Sequence, residues 1–575
     1  MKRWRFHAQH DEDVLREFPD LPPLLVRLLA NRSITTPDDV RGFLAASYDE
    51  HLHDPLLFRD MQKVVDRIVR AMDSGERIQL YGDYDVDGVS ALAILFTTFR
   101  ALGYDRVDVY IPDRYKEGYG LNSTAIKGFA GKATLLIACD CGTSNGEEVA
   151  EANALGIDVV VVDHHQEPPT LPPAFAFLNS SFAAEPYPFK KLCSSGIALK
   201  LAIALLRTLR YGADRLPKPL PSGWEKWLLD FVALATVADM MPLIGENRVL
   251  VKHGLHVLHK SRRVGLRALS EVMGTPLERV TTATIGFQIA PRLNAAGRLK
   301  HARAAFTLLT TEDANVARTV AAELNGINQE RQRLTETVFR EALDQAREQT
   351  SRTLIVACSS GWSSGIIGLV AGKLKEQYHR PTLVIGEESG TLVGSGRSVQ
   401  GFDITKALVE ASSFLAKFGG HAMACGFTLA SAESVEGFLD VMNNAADRDL
   451  QERDLTPEIV IDGELPLEDV TWDLVDLLGK LEPFGIGVPE PIFATQRLRV
   501  FLAERVGRDG KHLRLSFADD GGRRGKAIGF GYGDWAERLS AGDRLDLAYR
   551  VGAHEWNGIR DLQMTVVDLR PSSST

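Results

Sequence analysis

Residues 80–88 read LYGDYDVDG, and no other stretch of this chain limits its fold so strongly. Three aspartates alternate at 83, 85 and 87 directly after a short apolar run, RIQLYG (77–82), and a glycine closes the series. Aspartate is a poor strand former, and carboxylates this close repel one another. A buried strand must therefore stop here, and something must compensate its charge. Helical period follows in VSALAILFTTFRAL (89–102), with Gly103 just after it. VDVYI (107–111), TLLIAC (134–139) and DVVVVD (158–163) read as further strands, and NGEEVAEANAL (145–155) as a helix with two glutamates in its first turn. Continuous Val/Ile/Leu runs separated by helices predict a parallel sheet covered on both faces.

Ligand sites of open parallel sheets lie beyond the carboxyl ends of the strands. One strand ends in Asp83, Asp85 and Asp87, another in Asp140 (CDCGTSN), and a third in Asp163, His164 and His165. Asp239, in ATVADMMPL at the end of an apolar helix, is a fourth contribution. Alone, Asp-x-Asp-x-Asp also suits a solvated or calcium-binding loop, and a His-His pair also suits an ordinary surface. Their recurrence at successive strand ends points to one site. Such a cluster is relieved by divalent cations, and many oxygens with imidazole suit Mn²⁺ or Mg²⁺ better than zinc. A carboxylate bridging two ions about 3.5–4 Å apart is the arrangement used for phosphoryl hydrolysis.

Beyond residue 165 come Pro-rich loops, then WEKWLLDFVALATVA (224–238) as a helix. Residues 312–349 carry an uninterrupted helical pattern, about 55–60 Å long at 1.5 Å per residue, expected to connect two domains. RTLIVAC, a Gly-rich turn, a helix at 366–377 and PTLVIG begin a second α/β unit, and six short strands after about 455 predict a small β-barrel or sandwich. At 575 residues, two to four domains are expected. The formal net charge of −10 argues weakly against nonspecific polyanion binding, but leaves room for basic patches. Five cysteines with neither zinc nor disulfide spacing suit a reducing cytoplasm, with Cys139 and Cys141 as small buried neighbours of Asp140. No apolar run long enough to span a membrane is present, and the start, MKRWRFHAQHDEDV, has no apolar signal core.

GDYDVDG, ACDCGTSN and VVDHH resemble the first three motifs of the DHH phosphoesterase superfamily. With ALATVADMMPL, RLNAAGRL (292–299), SGRSVQGFDI (395–404), FGGHAMACGF (418–427), LEPFGIGVPEP (481–491) and the initial KRWRF, the ordered series is similar to the RecJ branch, the single-strand-specific exonucleases. The resemblance implies an α/β parallel-sheet DHH domain joined by a long helix to a second α/β, DHH-associated domain, plus a C-terminal OB-fold barrel. The expected boundaries are an N-terminal extension packing on the core (1–50), the DHH catalytic domain (51–310), the connecting helix (311–350), the substrate-binding domain (351–450) and the OB-fold domain (451–575). It further implies Asp85, Asp87, Asp140, His164 and Asp239 as metal ligands, with Asp140 as the bridge. Asp83 joins them as a ligand or as an orienter of water, and His165 meets a phosphate oxygen or orients its neighbour. Asp83, Asp140, His164 and His165 are thus the candidate catalytic residues, around two Mn²⁺ or Mg²⁺ ions.

Phosphate capture is expected from Ser395, Arg397 and Ser398 in GSGRS and from Gly420 and His421 in FGGH; glycine-rich backbone and guanidinium both suit an anion. Asn294 and Arg298 in NAAGR are candidate contacts near the scissile phosphate. In the barrel, Arg505, Arg508, Lys511, Arg514, Arg523, Arg524 and Lys526 are candidate strand contacts, and Phe517 and Tyr532 stack on bases or fill the core. Two positions depart from the family pattern: Ser363 stands where a histidine is common, and Val488 where an asparagine is. The implied activity is 5′→3′ hydrolysis of single-stranded DNA to 5′-mononucleotides in repair and recombination, by a cytoplasmic monomer. A channel admitting one strand is the expected basis of selectivity, and a single-strand-binding protein and a helicase are the expected partners. Two alternatives are a DHH phosphodiesterase acting on cyclic dinucleotides or short RNA, and a replication scaffold without catalysis. The complete carboxylate set argues against the scaffold.

Overall fold

The computed structural model describes residues 2–8, 12–114, 116–210, 220–299, 302–388, 390–556 and 559–572. It divides into two units: Met1–Ala290 with Phe306–Ala317 and Glu458–Thr575, and Pro291–Ala305 with Arg318–Pro457.

In the first unit, five parallel strands lie in the order Val107–Tyr110, Ile78–Gly82, Leu135–Cys139, Asp158–Val162, Ala176–Leu178. Ile78–Gly82 and Leu135–Cys139 are buried at every residue, which is why they read as unbroken apolar runs. Helix Val86–Ala101 is buried nearly all round and packs against Ser194–Arg210 and Leu229–Ala238. The edge strand Ala176–Leu178 was not expected, because three residues in a Pro-rich stretch carry too little periodicity.

The C-terminal strands close into a barrel: Phe493–Val506 pairs with both His512–Ala518 and Arg544–Trp556, and Arg524–Gly529 and Ile559–Pro571 complete the circuit. Closure removes the exposed edges that an open sheet of this size would leave. The N-terminal extension packs here as well. Arg3–Phe6 pairs in parallel with Glu458–Ile461, and Leu25, Leu29 and Phe43 share a core with Leu243, Leu478 and Val488. Arg248 ties these segments together. Fully buried, its guanidinium stacks on the Phe43 ring at 3.5 Å and donates to the carbonyls of Phe43 and Glu482, both at 2.8 Å. Burial lowers its pKa to about 10.

Val488 fills that core, and the turn around it is held by reciprocal backbone bonds with Gly485 (2.9 and 3.1 Å), so the turn forms without an asparagine.

The second unit holds a five-stranded sheet in the order Leu415–His421, Ala424–Leu429, Thr391–Arg397, Thr382–Glu388, Ile355–Cys358; only the last pair is parallel. The long helix spans Ala314–Arg347. Its Val338, Ala342 and Ala346 are core residues beside Trp362, Ile367 and Val370. Ser363 caps helix Ser364–Tyr378, its side chain accepting from the Gly365 N–H, which serine does well at such a position. All five cysteines are free, and only Cys358 is exposed.

Candidate metal centre and phosphate-binding face

The ends of three adjacent strands and one helix bring the predicted ligands together. After Gly82 the chain turns through Asp83 into helix Val86–Ala101, and Asp85 caps it by accepting from the N–H groups of Asp87 (2.8 Å) and Gly88 (3.1 Å). Gly88 is required there: a Cβ would lie 2.6 Å from the Asp83 carbonyl. Asp140 follows Leu135–Cys139 in the left-handed region, φ 61°, an uncommon backbone state that aspartate tolerates better than most residues. Asp239 ends helix Leu229–Ala238.

Their side chains form three overlapping groups: Asp83, Asp85 and Asp140; Asp87, His164 and Asp239; and Asp140, His164 and His165. In each, the potential ligand atoms lie within 4.8 Å of one another. His164 Nε2 is 3.3 Å from Asp140 Oδ1, 3.6 Å from Asp239 Oδ2 and 3.9 Å from Asp87 Oδ2.

Electrostatics agree with a cation site. Burial, then the charge of Asp85, pushes Asp83 well above the usual carboxylate range. Burial, then Asp87 and Asp85, does the same to Asp140. Burial, then Asp87, raises Asp85, and burial with Asp87 and Asp85 raises Asp239 to about 8. Asp83 Oδ1 is buried and has no hydrogen-bond partner among the described residues. Buried polar atoms are rarely left so, and an oxygen-rich, mutually repelling set is what a hard divalent cation neutralises.

Ser194, Ser195 and Tyr119 were not read as site residues, and Asp163 was read only by its place at a strand end, without a role. Ser194, at the start of helix Ser194–Arg210, donates its N–H to Asp87 Oδ2 (2.8 Å) and its hydroxyl to Asp140 Oδ1 (2.9 Å), while the Ser195 N–H donates to Asp87 Oδ1 (2.8 Å). Asp163 accepts from the N–H groups of His164 (2.7 Å), His165 (3.2 Å) and Thr143 (3.2 Å) and from His165 Nδ1 (2.7 Å). Burial works against its charge, but His165 prevails and its pKa is lowered. Burial likewise opposes protonation of His165, yet the bond to Asp163 and its charge raise that pKa to about 9. Tyr119, half-exposed, places its hydroxyl 3.1 Å from the Asp140 carbonyl and 3.2 Å from His165 Nε2. Only Asp163 had a signal in the sequence, its place at a strand end.

In the second unit, Arg397, Ala424 and His421 stand opposite one another across three strands, as do Ser395, Gly426 and Gly419. Directly opposed residues share a face, so Arg397, Ser395 and His421 lie on one side of the sheet with glycines between them. Arg397 donates to Ser395 Oγ (3.1 Å) and the Gly396 carbonyl (2.8 Å), and has no carboxylate partner among the described residues; burial lowers its pKa. His421 is exposed at the tip of the hairpin. Gly420 has φ 149°, and a Cβ there would meet the Ala424 carbonyl at 2.4 Å.

Ser398 is placed differently from the expectation. Its hydroxyl is fully buried and donates to the Phe402 carbonyl at 2.6 Å, which shapes the following loop instead of facing a ligand. Asn294 is half-buried on helix Ala290–Leu299, and the side chain of Arg298 lies outside the described residues.

In the barrel, Phe517 is core and Tyr532 donates to the Val567 carbonyl (2.5 Å). Arg505, Arg514 and Arg523 are paired with acids. Two aromatics of the barrel are exposed among the described residues: Phe530, edge-on to His512, and Phe501, flanked by the guanidinium groups of Arg499 (5.0 Å) and Arg524 (5.4 Å). Phe501 sits at a register shift between Val500 and Leu502, and such a bulge turns two consecutive apolar residues outward.

Comparison with known proteins follows the same division. Family models match for the DHH family N-terminal domain over residues 77–236, the DHHA1 domain over 351–447 and the RecJ OB domain over 461–568. The single-stranded-DNA-specific exonuclease RecJ of Bacillus subtilis is 35% identical over 98% of this chain and 70% of its own length. That of Salmonella typhimurium is 33% identical over 99% and 100%. The crystal structure of RecJ in complex with Mn²⁺ from Thermus thermophilus matches with a TM-score of 0.83 at 29% identity, covering 100% of this chain and 80% of that one. The Mg²⁺ complex of the same protein matches at 0.76.

Proposed function

The chain belongs to the RecJ family of single-stranded-DNA-specific exonucleases, and from that membership we propose how its own residues hydrolyse single-stranded DNA. Asp83, Asp85, Asp87, Asp140, His164 and Asp239 would hold two divalent ions, Mn²⁺ or Mg²⁺, and Asp140 belongs to two of the three ligand groups. Bound there, such ions lower the pKa of a water and neutralise charge on the phosphate. Ser194 fixes the Asp140 carboxylate, and the N–H groups of Ser194 and Ser195 fix Asp87, so the ligand oxygens are oriented before any ion arrives. His165, kept protonated by Asp163 and bounded by the Tyr119 hydroxyl, presents a donor to a phosphate oxygen.

Arg397, Ser395 and His421, with the backbone at Gly420, grip the terminal phosphate. Asn294 and Arg298 contact the phosphate being cleaved, and the Phe501 platform supports bases further along the strand. The strand is degraded 5′→3′ to 5′-mononucleotides, in DNA repair and recombination. The division of labour follows the boundaries expected from the sequence: hydrolysis in 51–310, capture in 351–450 and strand binding in 451–575. A cytoplasmic monomer working beside a single-strand-binding protein and a helicase belongs to the same proposal. Among the described residues, no helix is long and apolar enough to cross a membrane.

The observation that carries this reading is the convergence of all six ligands into groups within 4.8 Å. Asp140→Ala should abolish digestion of single strands with either ion while circular dichroism stays unchanged. Near-normal Mn²⁺-dependent digestion by that variant would refute the ligand assignment. Wild-type digestion of strands labelled at either end reads the polarity directly.

A further inference from the structure

A cavity of about 750 Å³ opens in the first unit among the ends of helices that also serve the metal centre. Helix Val86–Ala101 carries Asp87 in its first turn and sends Phe96 and Arg100 from its last turns into this cavity. Helix Leu229–Ala238 runs to Asp239 and gives the cavity Asp230 at its beginning. At 1.5 Å per residue, ten residues separate Asp87 from Thr97 by about 15 Å, so the cavity is distinct from the metal site.

Its chemistry is aromatic and cationic. Trp224, Trp227 and Phe96 line it together with Arg100, Arg262 and Arg263. Arg263 is already engaged: it binds Asp230 Oδ2 at 2.7 Å, donates to the Trp227 carbonyl at 2.9 Å and stacks on Phe231 at 3.8 Å. It neutralises Asp230 and fixes the backbone of Trp227. Arg262 is exposed and has no ion-pair partner among the described residues. Arg100 lies over the Phe96 ring at 5.9 Å and is ion-paired, among the described residues, with Glu312 alone, at 3.6 Å, with both side chains largely in solvent. Exposed pairs of this kind contribute little, so a stronger anion displaces the carboxylate readily. Trp227 keeps 46% of its surface exposed, an indole face with no partner ring among the described residues. Within a chain of net charge −10, this is a pocket with two available guanidinium groups beside an open aromatic face.

A ligand that satisfies both is a planar ring bearing a phosphate. The ring stacks on indole, and the phosphate takes the guanidinium groups in bidentate fashion. The volume lies in the range of small-molecule sites and suits a mononucleotide better than a polymer. We propose that this cavity binds a nucleoside 5′-monophosphate, at a site separate from the metal centre. Trp227 supplies the stacking face, and Arg262 and Arg100 supply the phosphate contacts, with Thr311 as a hydroxyl donor along the wall.

The test is equilibrium dialysis of labelled dAMP, with tryptophan fluorescence in parallel, on the full chain. Asp140→Ala, which disables the metal centre, should retain dAMP binding and the accompanying quench. Trp227→Ala and Arg262→Glu should each weaken that binding at least tenfold, while Trp227→Phe keeps it within about threefold. Deoxyadenosine, lacking the phosphate, should bind at least tenfold more weakly than dAMP. All four variants should melt within a few degrees of wild type, and the three cavity variants should digest single strands at the wild-type rate. The proposal is overturned if dAMP binding vanishes in Asp140→Ala, which would assign it to the metal centre. It is equally overturned if folded Trp227→Ala and Arg262→Glu bind dAMP as wild type does, or if deoxyadenosine binds equally well.

Discussion

Ser194→Ala isolates one contact at the metal centre. The serine makes two bonds to the carboxylates, and alanine removes only one of them. Its N–H to Asp87 Oδ2 survives, as do the bonds from the Ser195 N–H to Asp87 Oδ1 and from the Ser195 hydroxyl to the Asp87 carbonyl. What disappears is the 2.9 Å bond from the hydroxyl to Asp140 Oδ1, the oxygen that also lies 3.3 Å from His164 Nε2. A buried hydrogen bond to a charged group contributes about 1.5–3 kcal/mol. At 1.4 kcal/mol per factor of ten, that is roughly 10- to 150-fold in an equilibrium constant, and loss of an outer hydrogen bond to a metal ligand typically weakens metal binding about 10–100-fold. Single-strand hydrolysis measured against Mn²⁺ concentration should show half-saturation shifted upward by about one to two orders of magnitude. The rate at saturating Mn²⁺ should stay within a few-fold of wild type, because every ligand remains. An unmoved half-saturation point would mean that Ser194 does not orient Asp140. A rate that excess Mn²⁺ cannot restore would mean that the hydroxyl acts in the chemical step itself.

Arg248→Met keeps much of the side-chain volume but leaves the buried carbonyls of Phe43 and Glu482 without their donor. At about 1–3 kcal/mol for each orphaned group, the urea midpoint should fall clearly, and an unchanged midpoint would contradict the role given to this residue. Asp163→Asn should shift the alkaline limb of the activity profile toward neutral pH, since His165 is held protonated to about 9 chiefly against burial by Asp163. The linkage has a definite sign: the raised His165 stabilises the fold below 6.5 and loses that contribution as pH rises through about 9, whereas the lowered Asp163 contributes above 3.8 and loses it on acidification. An unshifted limb in the asparagine variant would separate His165 from catalysis. Gly420→Ala should lower affinity for single strands at least tenfold with Mn²⁺ half-saturation unchanged, because its Cβ would collide with the Ala424 carbonyl and distort the hairpin carrying His421; equal affinity by filter binding would remove this hairpin from the binding face.

Much of the metal centre was legible because it is built at strand ends. The runs before Asp83, Asp140 and Asp163 are buried on both sides, so their apolar character breaks sharply where the carboxylates begin. Asp239 was legible for a similar reason, at the end of a helix buried almost all round. Ser194 was not, because a serine at a helix start looks the same whether it caps the helix or reaches across to another element. Its contacts with Asp87 and Asp140 span 107 and 54 residues of sequence. Ser398 misled in the opposite direction: beside Arg397 it suggested a phosphate contact, but the chain turns after the strand and the hydroxyl finds the Phe402 carbonyl. Phe501 was hidden by the bulge, since strict alternation would have assigned one of Phe501 and Leu502 to the interior, whereas both are exposed.

The arrangement of helices explains why these carboxylates differ from one another. Helices Val86–Ala101 and Ser194–Arg210 both direct their N-terminal N–H groups at the cluster, and Asp85 and Asp87 take them. Helix N-termini favour negative charge. Helix Leu229–Ala238 arrives with its other end, so Asp239 meets the negative pole and accepts no such N–H. Its pKa of about 8 follows from burial and from the charges of Asp87 and Asp85, and the helix geometry provides nothing to offset them. Asp239 is thus raised with no helix N–H among the described residues to offset its burial, whereas Asp85 and Asp87 each accept two. Asp83 and Asp140, at the buried strand ends, are pushed up by burial and by their acidic neighbours as well. Proton and metal would therefore compete across the whole cluster, and the helix N-termini relieve that competition only where Asp85 and Asp87 meet them.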